Sequence, residues 1–108
     1  MSHQTFKACI EACVSCLEEC EHCANACIDQ AGMGGCTRAC RDCADLCGLC
    51  IAFMSRGSAL VRQLCGLCAT ACEQCAAECE KHAAHHEHCR RCAEACRKCA
   101  AECRKMAA

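Results

Sequence analysis

The residues of this chain that could do chemistry are its cysteines, 21 of 108. They fall in four blocks: Cys9, Cys13, Cys16, Cys20, Cys23 and Cys27; Cys36, Cys40, Cys43, Cys47 and Cys50; Cys65, Cys68, Cys72, Cys75 and Cys79; and Cys89, Cys92, Cys96, Cys99 and Cys103. Within every block the steps alternate between three and four residues. That is the 3.5-residue period of one helix face, so all the thiols of a block point the same way. The element C-x3-C-x2-C-x3-C recurs in all four blocks. A thiol can be a small inert hydrophobe, half of a disulfide, a nucleophile or, as thiolate, a soft metal ligand. The first role does not suit so many thiols on faces where Leu or Val would stabilise a bundle better.

Disulfides fit the pattern poorly as well. Helical neighbours at i and i+4 have Cβ atoms ~5–6 Å apart, whereas a disulfide needs ~3.5–4.5 Å. The cysteine count is odd, and the connections hold almost none. Catalysis finds no support: eight C-x2-C pairs lack a mixed α/β scaffold to single out one low-pKa thiol, and no Cys–His pair stands apart as a nucleophile. Iron–sulfur clusters need four converging thiolates rather than a continuous line. The chain is therefore expected not to be an enzyme.

A metal suits the i, i+4 spacing. With metal–sulfur bonds of ~2.3 Å a near-linear S–M–S unit spans up to ~4.6 Å. Nine C-x3-C pairs cover every cysteine except Cys50, Cys65 and Cys89. Charge then selects the ion. Zn2+ on four thiolates carries a double negative charge, and about five such sites would leave roughly −10 inside a narrow bundle. Cu(I) bridges thiolates at about one ion per sulfur, each ion cancelling one thiolate, so roughly 18–21 ions leave the core neutral. Without metal, burial keeps thiols protonated and neutral too. The reading is storage of Cu(I), about one per cysteine, with a zinc or general thiol-metal buffer as the alternative.

Positioning these thiols requires four helices. Ala, Glu, Lys, Arg and Gln fill the places between cysteines, and all are strong helix formers. Gly32, Gly34 and Gly35 separate the first two blocks, Ser55-Arg56-Gly57-Ser58 the middle two, and a His-rich stretch from His82 to His88 the last two. Helices are expected over about 5–30, 36–55, 59–81 and 87–106. Short connections favour antiparallel neighbours. The expected fold class is all-α, an up-down-up-down antiparallel four-helix bundle with a cysteine-lined core, in a single domain over residues 1–108. Composition agrees: with cysteine and 21 alanines set aside, 17 apolar residues remain, two of them Phe, with no Trp or Tyr. These are too few for an ordinary interior of this length.

The third connection gathers His82, His85, His86 and His88, and antiparallel topology puts it at the same end as the glycine turn carrying Met33. Imidazole and thioether are transient Cu(I) ligands. His82, His86 and His88 are expected to pass ions to Cys89, Cys79, Cys27 and Cys36 just inside. His3 and His22 lie off the thiol face and are expected at the surface, while Met1, Met54 and Met106 are expected to pack the opposite end. Charged residues such as Glu19, Glu73, Arg91 and Arg97 should form a solvated exterior with helical ion pairs. Leu46, Leu49, Ile51, Phe53, Leu60, Val61, Leu64 and Leu67 gather on the second and third helices; some are expected to flank the thiol face and close its end, and the excess to meet other subunits. A net charge of −1 with both signs interleaved, and 2% aromatic residues, argue against a nucleic-acid partner. No 18-residue apolar run or signal-peptide pattern occurs, so no membrane partner and a cytoplasmic location are expected.

The four cysteine-lined blocks, the repeated C-x3-C pairs and the HxHC element His86-Glu87-His88-Cys89 resemble the bacterial copper storage proteins, in particular their cytosolic branch. The resemblance spans essentially the entire chain. It implies a four-helix bundle holding many Cu(I) ions, a role in copper homeostasis, and assembly as a homo-tetramer.

Overall fold

A computed structural model describes residues 3–108. A short 3-10 turn, His3–Phe6, leads into α1 (Lys7–Cys27), followed by α2 (Gly34–Ser55), α3 (Val61–Glu80) and α4 (Glu87–Ala107), with no strand among the described residues. Met1 lies outside them. Each helix packs on its sequence neighbour and α4 returns against α1, which closes an antiparallel bundle of 45 × 18 × 17 Å.

The helix ends have local causes. α1 stops at Cys27, earlier than its pattern suggests, because beyond its last thiol nothing has a core to enter: Ile28 is exposed. The chain leaves through turns in which the Gln30 N–H donates to the Cys27 carbonyl at 3.1 Å, and Gly32 reverses it at φ +80°. α2 starts sooner than expected and takes in Gly34 and Gly35. A Cβ at Gly35 would stand 2.6 Å from Glu78 Oε1, so glycine leaves room there for the Glu78 carboxylate of α3. α2 ends in a Schellman turn. The Ser58 N–H donates to the Phe53 carbonyl at 3.0 Å, the Gly57 N–H to the Met54 carbonyl at 3.1 Å, and Gly57 takes the left-handed φ of +63°. Ser58 Oγ then accepts from the Leu60 N–H at 3.1 Å just ahead of α3.

All 21 cysteines are buried, and among the described residues no polar or charged one shares the core with them. Ala12, Ala24, Ala44, Ala69, Ala76, Ala93 and Ala100 flank the thiols, and their small size lets the helices approach until sulfur meets sulfur. Phe6, Met54 and Val61 fill the end that holds the chain termini, with Met106 packed against them in part. Val61 is one of the apolar residues of α2 and α3 that flank the thiol face and close its end, as expected of part of that group.

The ion pairs include the expected helical ones, Lys7–Glu11 and Arg90–Glu94 among them. Three others join different helices: Arg91 to Glu19 at 3.0 Å, Arg97 to Glu80 at 2.8 Å and Arg104 to Glu73 at 2.7 Å. Arg97 and Arg104 each grip their carboxylate through both Nε and a terminal nitrogen. They fasten α4 to α3 from outside, each only weakly because water screens charges this exposed.

Candidate metal-binding core

The alternation of three and four residues turns four rows of thiols toward one axis, and the sulfurs meet across helices as much as along them. An unbroken path can be followed between the two ends. From Cys27 it steps to Cys23 (3.9 Å), Cys36 (3.8 Å), Cys79 (3.4 Å), Cys40 (3.8 Å), Cys92 (3.7 Å) and Cys20 (3.7 Å). It continues through Cys16 (3.8 Å), Cys43 (3.7 Å), Cys72 (3.4 Å), Cys68 (4.0 Å) and Cys47 (3.8 Å). It closes through Cys99 (3.9 Å), Cys13 (3.6 Å), Cys103 (3.9 Å) and Cys9 (3.7 Å). Cys75, Cys89 and Cys96 join it from the side. Cys50 Sγ points instead toward the Leu64 carbonyl at 3.8 Å, yet stands within 4.8 Å of the sulfurs of Cys13, Cys68 and Cys103. Cys65 is buried next to Cys9, Cys50 and Cys103.

These distances bear on coordination. The C-x3-C pairs Cys16/Cys20, Cys23/Cys27, Cys68/Cys72, Cys92/Cys96 and Cys99/Cys103 are 3.8–4.0 Å apart. A metal ~2.3 Å from both sulfurs of such a pair subtends ~110–120°, which is three- or four-coordinate geometry rather than the near-linear unit expected from spacing alone. Cross-helix neighbours supply the further ligands, as in Cys16, Cys20, Cys43 and Cys96, or Cys13, Cys47, Cys68 and Cys99, sets whose sulfurs all lie within 4.8 Å of one another. The neighbouring sets share members, so ions in them would share sulfurs.

Burial throughout the core favours protons on sulfur. Cys20, Cys47 and Cys79 are held above the ordinary thiol range because they donate to neighbouring sulfurs and burial acts in the same direction. At the histidine end, burial followed by the Cys36 sulfur pushes Cys27 up to about 11, and burial with the Cys36 and Cys27 sulfurs pushes Cys89 up to about 12.

The clustered histidines separate in role. His88 Nδ1 lies 3.5 Å from both Cys23 Sγ and Cys89 Sγ and 3.9 Å from Cys27 Sγ. Burial, then the charges of His86 and His22, lower its pKa, which leaves the ring neutral and able to act as a ligand. His86 and His82 continue outward from it, with ring centroids 5.3 Å and 6.5 Å apart in turn. Neither hydrogen-bonds to sulfur, and His85 is exposed. Met33, expected beside them as an entrance ligand, is buried at the start of α2. His22 is exposed as expected. The cross-helix sulfur contacts and the privileged place of His88 were not readable from spacing; the adjacency of His88 to the first thiol of α4 is the one signal that marked it.

The model of the copper storage protein family matches residues 2–108. In structure the chain resembles the apo form of copper storage protein 3 from Bacillus subtilis, with 46% identity, a TM-score of 0.88 and coverage of 94% of this chain and 98% of that one. It also resembles the copper storage protein Ccsp of Streptomyces lividans loaded with 10 copper equivalents, at 40% identity, a TM-score of 0.91 and coverage of 96% and 84%. An uncharacterized cysteine-rich protein of Bacillus subtilis, YhjQ, is 44% identical over 69 residues, 61% of this chain, and the match spans 64% of that protein's length. With four thiol-lined helices, a sulfur core continuous from end to end and a family match over nearly its full length, the chain belongs to the copper storage protein family.

Proposed function

We propose that this protein binds and stores multiple Cu(I) ions in the interior of its bundle, acting as a single domain without catalysis. The observation that carries the reading is the end-to-end sulfur path, in which consecutive thiols are 3.4–4.0 Å apart with no charged group among them. Such a core cannot hold many doubly charged ions on four thiolates, since each would add uncompensated negative charge in a dry interior. Singly charged Cu(I) replaces the protons it displaces one for one, and the core stays neutral filled or empty. All 21 cysteines are proposed as storage ligands, bridging trigonal copper, with His82, His86 and His88 as the route in and out. Membership of the copper storage family and the copper-loaded Streptomyces relative support this cargo.

The same reading extends to place and assembly. A location in the cytosol is supported by the Streptomyces relative, of which a solved copper-loading form is described as cytosolic, and no described helix is long and apolar enough to cross a membrane. A homo-tetramer is proposed through the apolar face of α2 and α3. Anaerobic titration of the reduced protein with Cu(I) against a competing chelator tests the function. Saturation is expected near one ion per cysteine, roughly 18–21 per chain. Saturation at five or six ions, or firmer retention of zinc than of Cu(I) throughout the core, would favour the thiol-metal buffer instead.

A further inference from the structure

One corner of the core differs in chemistry from the rest. His88 Nδ1 lies 3.5, 3.5 and 3.9 Å from the sulfurs of Cys23, Cys89 and Cys27. Cys23 Sγ is in turn 3.9 Å from the sulfurs of both Cys27 and Cys89. A tetrahedral ion with bonds of ~2.3 Å to sulfur and ~2.0–2.1 Å to imidazole nitrogen has edges of ~3.8 Å between sulfurs and ~3.5–3.6 Å between sulfur and nitrogen. The five observed edges agree to within a few tenths of an ångström.

We propose that Cys23, Cys27, Cys89 and His88 form a binding site for one divalent zinc-type ion per chain, distinct in charge and geometry from the Cu(I) cargo. Three thiolates and a neutral imidazole leave a single negative charge around Zn2+, half that of the all-sulfur sets deeper in. The site also sits at the end of the bundle beside the half-buried His88, where solvent screens the charge that the closed interior would not. Imidazole is a harder donor than thiolate and shifts the preference toward zinc. With the ion on Nδ1, the ring proton sits on Nε2, which is buried and unpartnered. The adjacent His86 ring, 5.3 Å away by centroid, is the group that can turn to accept it. The ligands come from α1 and α4, which no connection joins at this end. The ion therefore staples the two helical hairpins across the mouth and occupies the ligands that copper would meet first.

The test is anaerobic titration of reduced, metal-free protein with Zn2+ against a chromophoric chelator, and with Co2+ as a spectroscopic probe. One ion per chain is expected to be held ahead of any other, with Co2+ showing the intense visible bands of a tetrahedral site and thiolate charge transfer. In His88→Ala its affinity should fall by about tenfold or more, whereas Cys16→Ser, deep in the core, should keep it. His88→Gln and Cys89→Ser repeat the test should the alanine variant not fold, as judged by circular dichroism. No zinc held above the chelator, or several ions per chain indifferent to His88 replacement, overturns the site. Cu(I) titration of the same wild-type sample separates the two readings: normal copper filling without a zinc site refutes this inference alone, and a zinc site without copper filling refutes storage alone.

Discussion

On the proposed route through the histidine end, copper must exchange ligands, and His88 is the imidazole that reaches sulfur. Its nitrogen touches three thiols, while His86 and His82 extend away from it and His85 faces solvent. Replacing His88 by Ala is expected to slow Cu(I) loading, and removal by a chelator, several-fold in stopped-flow transfer, with capacity lowered by no more than about one ion because the thiols hold the rest. His85→Ala should leave the rate unchanged, and equal rates for both variants would move the route elsewhere. The same residues set a stability window for the metal-free protein. His88 has a folded pKa below its usual 6.5, so as pH falls past that value the unfolded chain binds the proton first and stability declines toward the lowered folded value. Cys27 and Cys89, raised from 9.0 to about 11 and about 12, act in the opposite sense. Above pH 9 the unfolded chain releases protons that the fold retains, and stability declines through those higher values. Urea midpoints should therefore be flat from about pH 7 to 9 and fall on either side. Block spacing made the thiols legible as core ligands. It could not rank His88 above His82 and His86, because depth and ring orientation depend on how α4 docks against α1.

Helices lined with protonated thiols need no metal to form, since a neutral buried cysteine packs as a small hydrophobe. Reduced metal-free protein is expected to be strongly helical by circular dichroism, and copper should raise its melting temperature with little change in helix content, the signature of a ligand binding the native state. A random-coil spectrum without metal would instead mean that copper drives folding. Connections matter in their own right. Gly57 occupies the left-handed position that ends α2, and Gly57→Ala should cost about 1 kcal/mol through that conformation alone, read as a lower denaturant midpoint with copper capacity intact. The four helices and their antiparallel order could be read from period and punctuation, because amphipathic period survives any detail of packing. The ends could not. α1 stops at its last thiol, and α2 takes in Gly34 and Gly35, the second lying against the Glu78 carboxylate of the opposing helix. The outer clamps of Arg97 on Glu80 and Arg104 on Glu73 were equally hidden, since charge pattern alone offers many pairings and only the rotation of α4 selects these.

At the scale of the molecule, a core of sulfur and alanine leaves the larger aliphatic side chains without an interior. Leu49, Leu60 and Leu67 are 48%, 54% and 56% exposed. Leu60 and Leu67 flank Phe53 and Leu64 along a groove between α2 and α3, while Leu46 lines a neighbouring one with Leu67. The opposite pair of helices shows no comparable row: the ion pair of Arg91 with Glu19 spans α1 and α4. Contiguous apolar area of this kind on one side of a narrow bundle favours self-association, and a closed assembly buries it without creating a new exposed edge. Copies that meet through α2 and α3 would leave the histidine end, where α4 places His88 over the buried Cys89, clear of the contact, so assembly and metal exchange need not compete for surface. Light scattering at micromolar concentration is expected to give a tetramer, and Leu60→Glu, which puts a carboxylate in the middle of the groove, should shift it toward monomer. Because Leu60 lies outside the thiol rows, the monomeric variant should still fill with the same number of Cu(I) ions. A monomeric wild-type protein would refute the assembly, whereas lost copper capacity in the Leu60→Glu variant would mean that the bundle needs its neighbours to keep the core closed.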